Sequence, residues 1–518
     1  HPDDRTGHYA WQWVWKPMAV SFTGIVRERK VRFMFHAVLA AAQVYRLTGD
    51  ARYAELAGRI LQCLARRFPN WLYHDMYGAF ADCDPLYAAA HDTALKLDFK
   101  RHPCEMAYGG ATYETGPVAD TPDKARMLAT FFGASRAGFP GTHGMAQFLG
   151  NVCRASDRVY DAKGTNGQPL WSDEARRDVE RNLILEYALE TEPWLGGPGQ
   201  AQNVCNKAPE IYHGLAAVGV CLGLPEYAHV ALMGFENIRD QRFLYDGISM
   251  ESALYMDAFL SDMIEVTELL QGFRWPERFK ERAGVVDVYG SDPKFRRMMR
   301  AVVEELRSDG TWLPLSDTMP GYSNRKHVFE IGARRYPDFP AGLLPLVYEN
   351  GADWYSGFSY KGWLLAQSEN SRTRGGPPTP YALFNLEAGQ LESGPEEQGD
   401  FYCSRRTKAD APENAPLRGA ATISKFLCIE SNRSAASAEP PGLPEIYFPA
   451  WMTAILRHGQ GPEATDLALA FNAVGGHRHN DNLSLFYSTR GRAALGDLGY
   501  MADTPFLLWY ISSFSHNL

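Results

Sequence analysis

The sequence predicts a multidomain chain, α then β: an N-terminal (α/α) toroid of helical hairpins followed by an antiparallel β-sandwich. Three observations predict it. Apolar residues recur at helical spacing through the first two-thirds, in paired segments separated by glycine-centred turns. A breaker-rich stretch, Ser371-Arg372-Thr373-Arg374-Gly375-Gly376-Pro377-Pro378, then interrupts the chain. Beyond it the apolar spacing shortens to strand-like runs between turn signals. Helices followed by strands indicate two domains, expected at residues 1–370 and 377–518. The sandwich is expected to continue past Leu518.

The helical elements can be read in order. Apolar residues from Val31 to Leu47 keep helical spacing, and Thr48-Gly49-Asp50 is a stop and turn signal. A second helix follows from about Ala51 to Phe68. The device recurs in a helix from about Pro209 to Leu222-Gly223, followed by one from Pro225 to about Ile238. Gly49 and Tyr53-Ala54 align with Gly223 and Tyr227-Ala228, a weak helix–turn–helix repeat. Further helices are expected over Asp173–Glu190, Ser252–Gln271 and Asp292–Ser308. Strands are expected over Tyr381–Glu387, Ala420–Glu430, Asp466–Val474, Asn482–Ser488 and Arg492–Asp497.

Bulk properties exclude several classes. The 518 residues carry a formal net charge of -9, so no basic field favours nucleic acid. No apolar run is long enough to span a bilayer. The eight cysteines are scattered without a C-x-x-C pair, which suits buried small side chains rather than a disulfide framework or zinc knuckle. The first residue is His1, so an export signal would precede this chain. Aromatics make up 13% of residues, and Trp11, Trp13 and Trp15 cluster, either as core packing or as a sugar-stacking wall.

The most informative segment is Gly475-Gly476-His477-Arg478-His479-Asn480-Asp481-Asn482-Leu483-Ser484. On a strand, His477 and His479 fall on one face, where they can share a metal or divide metal and catalytic duties. Gly496-Asp497-Leu498-Gly499-Tyr500 follows, and His516 lies near the end. Two histidines and a carboxylate make a zinc set with one open position. Alone, H-x-H fits a pair of hydrogen-bonded surface histidines equally well.

Taken together, G-G-H-x-H-x-D-N-L-S, G-R-x-x-L-x-D-x-G-Y and S-x-S-H-N resemble the C-terminal domain of the heparinase II/III-like polysaccharide lyases, to which certain alginate lyases are related. The resemblance is close over residues 470–518 and loose over the rest. It implies one Zn2+ ion, mainly structural, held by His479, Asp497 and His516, and it places His477 in the catalytic cleft. Asp246-Gly247-Ile248-Ser249-Met250-Glu251-Ser252-Ala253-Leu254-Tyr255 resembles a family segment D-G-x-x-x-E-x-x-x-Y whose tyrosine transfers the proton, which points to Tyr255. Glu251 and Tyr255, four apart, share a helix face. The alternative for Tyr255 is a core tyrosine with a satisfied hydroxyl.

Asn206 and Lys207 stand just before a helix that Pro209 would open, where free N–H groups and the dipole favour an anion. The family uses an asparagine here, often followed by histidine, to neutralise the substrate carboxylate. This chain has Asn-Lys, which puts a base from this loop in doubt. Asn203 competes for the asparagine role, and an ordinary helix cap is the plainer alternative. Asn203, Glu210, Glu251 and Trp194 are the expected substrate-binding residues; Tyr255, His477, Asn206 and Lys207 are the expected catalytic ones.

The implied reaction is β-elimination on a uronic-acid polysaccharide by a periplasmic or secreted enzyme. The C5 proton of a uronate becomes removable once its carboxylate is neutralised, because enolate-like charge then has somewhere to go. Asn206, with Lys207 or His477, fits that task. A tyrosine can take the C5 proton, protonate the departing O4, or both, and nearby positive charge would help it ionise below its free pKa of about 10. Two other readings remain: a glycoside hydrolase using a pair such as Glu251 and Asp257, and a non-catalytic carbohydrate-binding protein. Which polysaccharide is cut, and the oligomeric state, are not legible in the sequence.

Overall fold

The helical hairpins of this chain turn on glycines. In chain order the helices are α1 (Phe22–Thr48), α2 (Ala51–Arg67), α3 (Thr142–Arg158), α4 (Asp173–Val179), α5 (Glu186–Gly196), α6 (Ala208–Leu222), α7 (Pro225–Arg242), α8 (Ala253–Leu270), α9 (Val288–Ser291), α10 (Pro293–Glu304) and α11 (Lys326–Arg335). Helix α1 stops at Gly49, φ 71°, and α6 stops at Gly223, φ 64°, a left-handed conformation that a residue without Cβ adopts at little cost. The Gly49 N–H donates to Tyr45 O at 2.7 Å, and Leu224 N to Gly219 O at 2.9 Å, which satisfies carbonyls the helix leaves open. The carboxylate of Asp50 then caps α2 by accepting from Arg52 N.

The computed structural model describes residues 8–13, 16–71, 142–196, 204–279, 282, 284–308, 310–318, 326–339, 443–459, 463–471, 483–490 and 492–495. The expected boundary at residues 370–377 and the strands expected at Tyr381–Glu387 and Ala420–Glu430 lie outside them. The chain divides into two units, His1–Gly234 with Tyr402–Leu417, and Phe235–Phe401 with Arg418–Leu518.

Unit one is helical behind a short hairpin. Strands β1 (His8–Trp13) and β2 (Lys16–Ser21) pair antiparallel with Trp11 opposite Met18, where the sequence suggested only an aromatic cluster. Phe35 of α1 stacks on Phe148 of α3 at 5.0 Å, and Phe68 meets Tyr187 of α5 at 4.8 Å. Nearly every side chain of α6 is buried, as expected of a helix apolar on all sides. A π-helical stretch, Glu180–Leu185, joins α4 to α5, so the helix expected to end near Glu190 runs on to Gly196.

Unit two holds α8 to α11 and a five-stranded antiparallel sheet in the order β3 (Ile446–Phe448), β4 (Thr453–His458), β5 (Thr465–Ala470), β6 (Ser484–Thr489) and β7 (Arg492–Leu495). A helix-rich region thus precedes an antiparallel sheet. One sheet face meets the end of α10. There Arg457 donates to Glu304 O and Leu306 O, both at 2.6 Å, placing a cation on the open carbonyls of a helix C-terminus. Asp466, opposite Arg457 in the register, accepts from Ser308 N at 3.2 Å and from its hydroxyl. The other face carries Tyr447, Leu456, Leu467, Leu469, Leu485 and Tyr487, of which Tyr447, Leu456 and Leu469 are exposed.

Beside this joint, Glu305 is fully buried, and neither carboxylate oxygen has a hydrogen-bond partner. Burial pushes its carboxyl well above the usual range, the charge of Asp257 pushes it further, and Arg457 offsets part of the rise. Burial likewise draws Arg457 down to about 10, leaving it charged at neutral pH. The folded chain therefore keeps a proton on Glu305 that the unfolded chain releases near pH ~4.3. Stability must fall as pH rises from there to the folded-state pKa, by up to about 1.4 kcal/mol per pH unit. Glu305→Gln keeps the shape and removes the titration. Urea unfolding between roughly pH 5 and pH 7 is expected to show a smaller loss of stability in the variant; equal slopes would mean that Glu305 ionises normally in the folded chain.

Candidate active site

The segment that carries Tyr255 begins as a tight hairpin between α7 and α8. Phe243 bridges Ser249, Gly247 N donates to Leu244 O at 3.0 Å, and Leu244 N donates to Ile248 O at 2.9 Å. An Asp-Gly pair is well suited to such a turn. Gly247 has φ 87°, and a Cβ added there would lie 2.5 Å from Arg297 O, so both conformation and space require glycine. Asp246 is buried. Its Oδ2 accepts from Ala450 N at 2.8 Å and Trp451 N at 2.9 Å, and its Oδ1 from Ile248 N at 3.4 Å.

The hairpin then feeds α8. The buried Ser249 accepts from Glu251 N at 3.2 Å. Ser252 is the N-cap, its hydroxyl accepting from Tyr255 N at 3.4 Å. Thr318, fully buried, accepts from Leu254 N at 3.4 Å. Tyr255 therefore sits in the first turn of α8, half-buried, rather than in the core. Glu251 is 7% exposed and Asp257 1%, a depth that leaves little of either carboxyl for a sugar ring.

The second expected segment is in unit one. Lys207 occupies the cap position of α6 and makes no side-chain capping bond; Asn206 precedes it, and both are half-buried. The cap position is thus Lys207, one residue after Asn206. Glu210 stands in the first turn of α6, and Trp194 is on the last turn of α5. Asn203, His477, His479, Asp497 and His516 lie outside the described residues.

The expected zinc ion requires correction. A metal needs its ligand atoms about 2.0–2.3 Å from one point, so at least three side chains must converge. Among the described residues no group of three or more His, Cys, Asp or Glu could hold a metal ion, so they provide no zinc site.

Sequence reasoning missed the turn Ala450–Met452 and the segment Ser316–Thr318, which flank the Tyr255 segment. Both contain a non-glycine residue with positive φ, Met452 at 52° and Ser316 at 54°. Such conformations persist only where surrounding structure holds them. Ser316-Asp317-Thr318 is a cluster of turn-forming residues that could have been read as a loop, whereas Asp246 meets Ala450 across 204 positions of sequence.

No family model and no curated protein matches the chain. Solved structures do. The chain is similar to a crystal structure of heparinase III at 12% identity and a TM-score of 0.43, over 94% of this chain and 54% of that one. A second heparinase III gives 10% and 0.44, over 93% and 54%. A heparan sulfate lyase from Pedobacter heparinus gives 13% and 0.44, over 92% and 50%. The chain spans about half the length of these structures. The likeness is loose, and the functional argument rests on the residues themselves.

Gly247→Ala tests the hairpin. Strain at positive φ together with a backbone clash is expected to cost about 1–3 kcal/mol. Gly167, φ 76° with open space around it, is the control, and Gly167→Ala should cost about 1 kcal/mol. Urea unfolding followed by tryptophan fluorescence distinguishes them; equal costs would show that the Arg297 contact relaxes freely.

Proposed function

We propose that this chain belongs to a polysaccharide lyase that cleaves a uronic-acid-containing polymer by β-elimination and leaves an unsaturated uronate end. The observation that carries the reading is the placement of Tyr255: half-buried in the first turn of α8, on a segment whose Asp246, Gly247 and Ser252 each have a defined structural task. A tyrosine held this way can exchange a proton with a bound ring. Asn206 and Lys207 at the start of α6 supply an amide and a cation for the substrate carboxylate, and His477 is the remaining member of the set. Nucleic acid is not the partner on grounds of charge, and no helix among the described residues is long and apolar enough to cross a membrane. A polymeric substrate favours action in the periplasm or outside the cell.

The finer architecture follows the same reading. The paired helices suit a toroid, and the apolar outward face of the sheet suits a second sheet layered on it in a sandwich. The burial of Glu251 and Asp257 weighs against a hydrolase built on that pair.

A panel of uronate polysaccharides, assayed for new ultraviolet absorbance from the C4–C5 double bond, tests the reading; a hydrolase or a binding protein gives none. Tyr255→Phe is expected to lower kcat by about 10²–10⁴, and Asn206→Ala by about 10²–10³, each with less effect on substrate binding. If Lys207→Ala is as damaging as Asn206→Ala, the lysine shares the neutralising task; if it is silent, His477 carries more of it. Normal product formation by folded Tyr255→Phe removes Tyr255 from the mechanism.

A further inference from the structure

The segment that carries Tyr255 is joined to the end of β5 by a short run of hydrogen bonds. It starts at Asp246, nine residues before Tyr255, whose buried Oδ2 accepts from Ala450 N and Trp451 N. The next residue, Met452, has φ 52°, and its carbonyl accepts from Phe471 N at 3.0 Å. Phe471 follows β5 directly, and the chain reaches His477 six residues later. The turn between β3 and β4 is itself held from below: Trp451 is buried, lies edge-on to Phe448 at 5.8 Å, and its carbonyl accepts from the Thr453 hydroxyl at 3.2 Å.

We propose that Asp246 is a positioning residue, which holds the Tyr255 segment and, through the turn Ala450–Met452, the end of β5 in one fixed relation. The chemistry favours this task. A buried carboxylate is costly unless donors surround it, and here the donors are main-chain N–H groups, so the turn cannot swing away without leaving a charge unpaired. The hairpin on the other side is equally constrained, because Gly247 is pressed against Arg297 O. The residues on either side of the joint thus move together or not at all. The kinetic part of the proposal rests on the lyase reading; the structural part does not.

Two variants and two readouts test it. Asp246→Ala removes the acceptors, while Asp246→Asn keeps one oxygen able to accept from both N–H groups. In Asp246→Ala, amide hydrogen exchange is expected to quicken at least tenfold at Trp451, at Phe471 and through residues 248–255 together. On whichever uronate polymer the wild-type chain cleaves, kcat is expected to fall about 10–100-fold, on the scale of a small misplacement of reacting groups. KM should stay within about threefold, since ground-state binding is untouched. Asp246→Asn should recover most of both. Folded Asp246→Ala with unchanged exchange at Phe471 and residues 253–255 overturns the proposal whatever the activity. Faster exchange with an unchanged kcat in an active enzyme overturns the positioning role. If the wild type cleaves no uronate polymer, the lyase reading fails, and the exchange measurement alone decides whether Asp246 joins the segments.

Discussion

A carboxylate taken out of water must be met by donors, and backbone N–H groups are donors that side-chain substitution leaves in place. Asp246 uses two of them, on Ala450 and Trp451, and much of unit two follows from that contact. It holds the tip of the hairpin after α7 against the β3–β4 turn, which sets where α8 starts and therefore where Tyr255 stands. The neighbouring Gly247 takes a positive φ beside the backbone of α10.

A second joint of buried charge lies further along the sheet. Arg457, Asp466 and Ser488 are cross-strand neighbours on β4, β5 and β6, and they meet the end of α10 through Glu304 O, Leu306 O and Ser308. On this side of the sheet the polar joint sits among buried apolar residues, Phe448, Ile455, Ala468 and Phe486. Strand register is correspondingly strict. A slip of one residue would turn Arg457 and Asp466 outward and send Leu456 and Leu467 into the joint, stranding the carbonyls that Arg457 satisfies. Buried ion pairs of this kind stabilise modestly in net terms, but breaking one leaves an uncompensated charge, so they specify a geometry more than they strengthen it.

Local signals carried far into this fold where they were dense. The glycine stops at Gly49 and Gly223, the proline start at Pro225 and the helix start near Ser252 each appear in the structure within a residue or two of where the pattern puts them, because each depends on the conformational range of a few neighbouring residues. Signals failed where they were short. Strand β3 has three residues, too few for periodicity to show, and β1 was hidden within a tryptophan cluster whose Trp-Gln-Trp alternation was a strand signal in its own right. The zinc set was inferred from a motif rather than from convergent geometry, and the described residues offer no such convergence.

For the candidate site the division is similar. The D-G-x-x-x-E-x-x-x-Y spacing put Tyr255 at the start of a helix, but Glu251 precedes the Ser252 cap and does not share that helix's face. The spacing did not reveal that Asp246 serves the sheet, that Glu251 and Asp257 face inward, or that Glu305 is held without a hydrogen-bond partner beside Arg457. Those depend on groups far apart in sequence brought together in a low-dielectric interior, where desolvation and the placement of N–H donors decide which carboxyl is charged, which is neutral and which holds two segments together. Short-range conformational preference determined the elements; only the packing of distant segments assigned their polar residues a task.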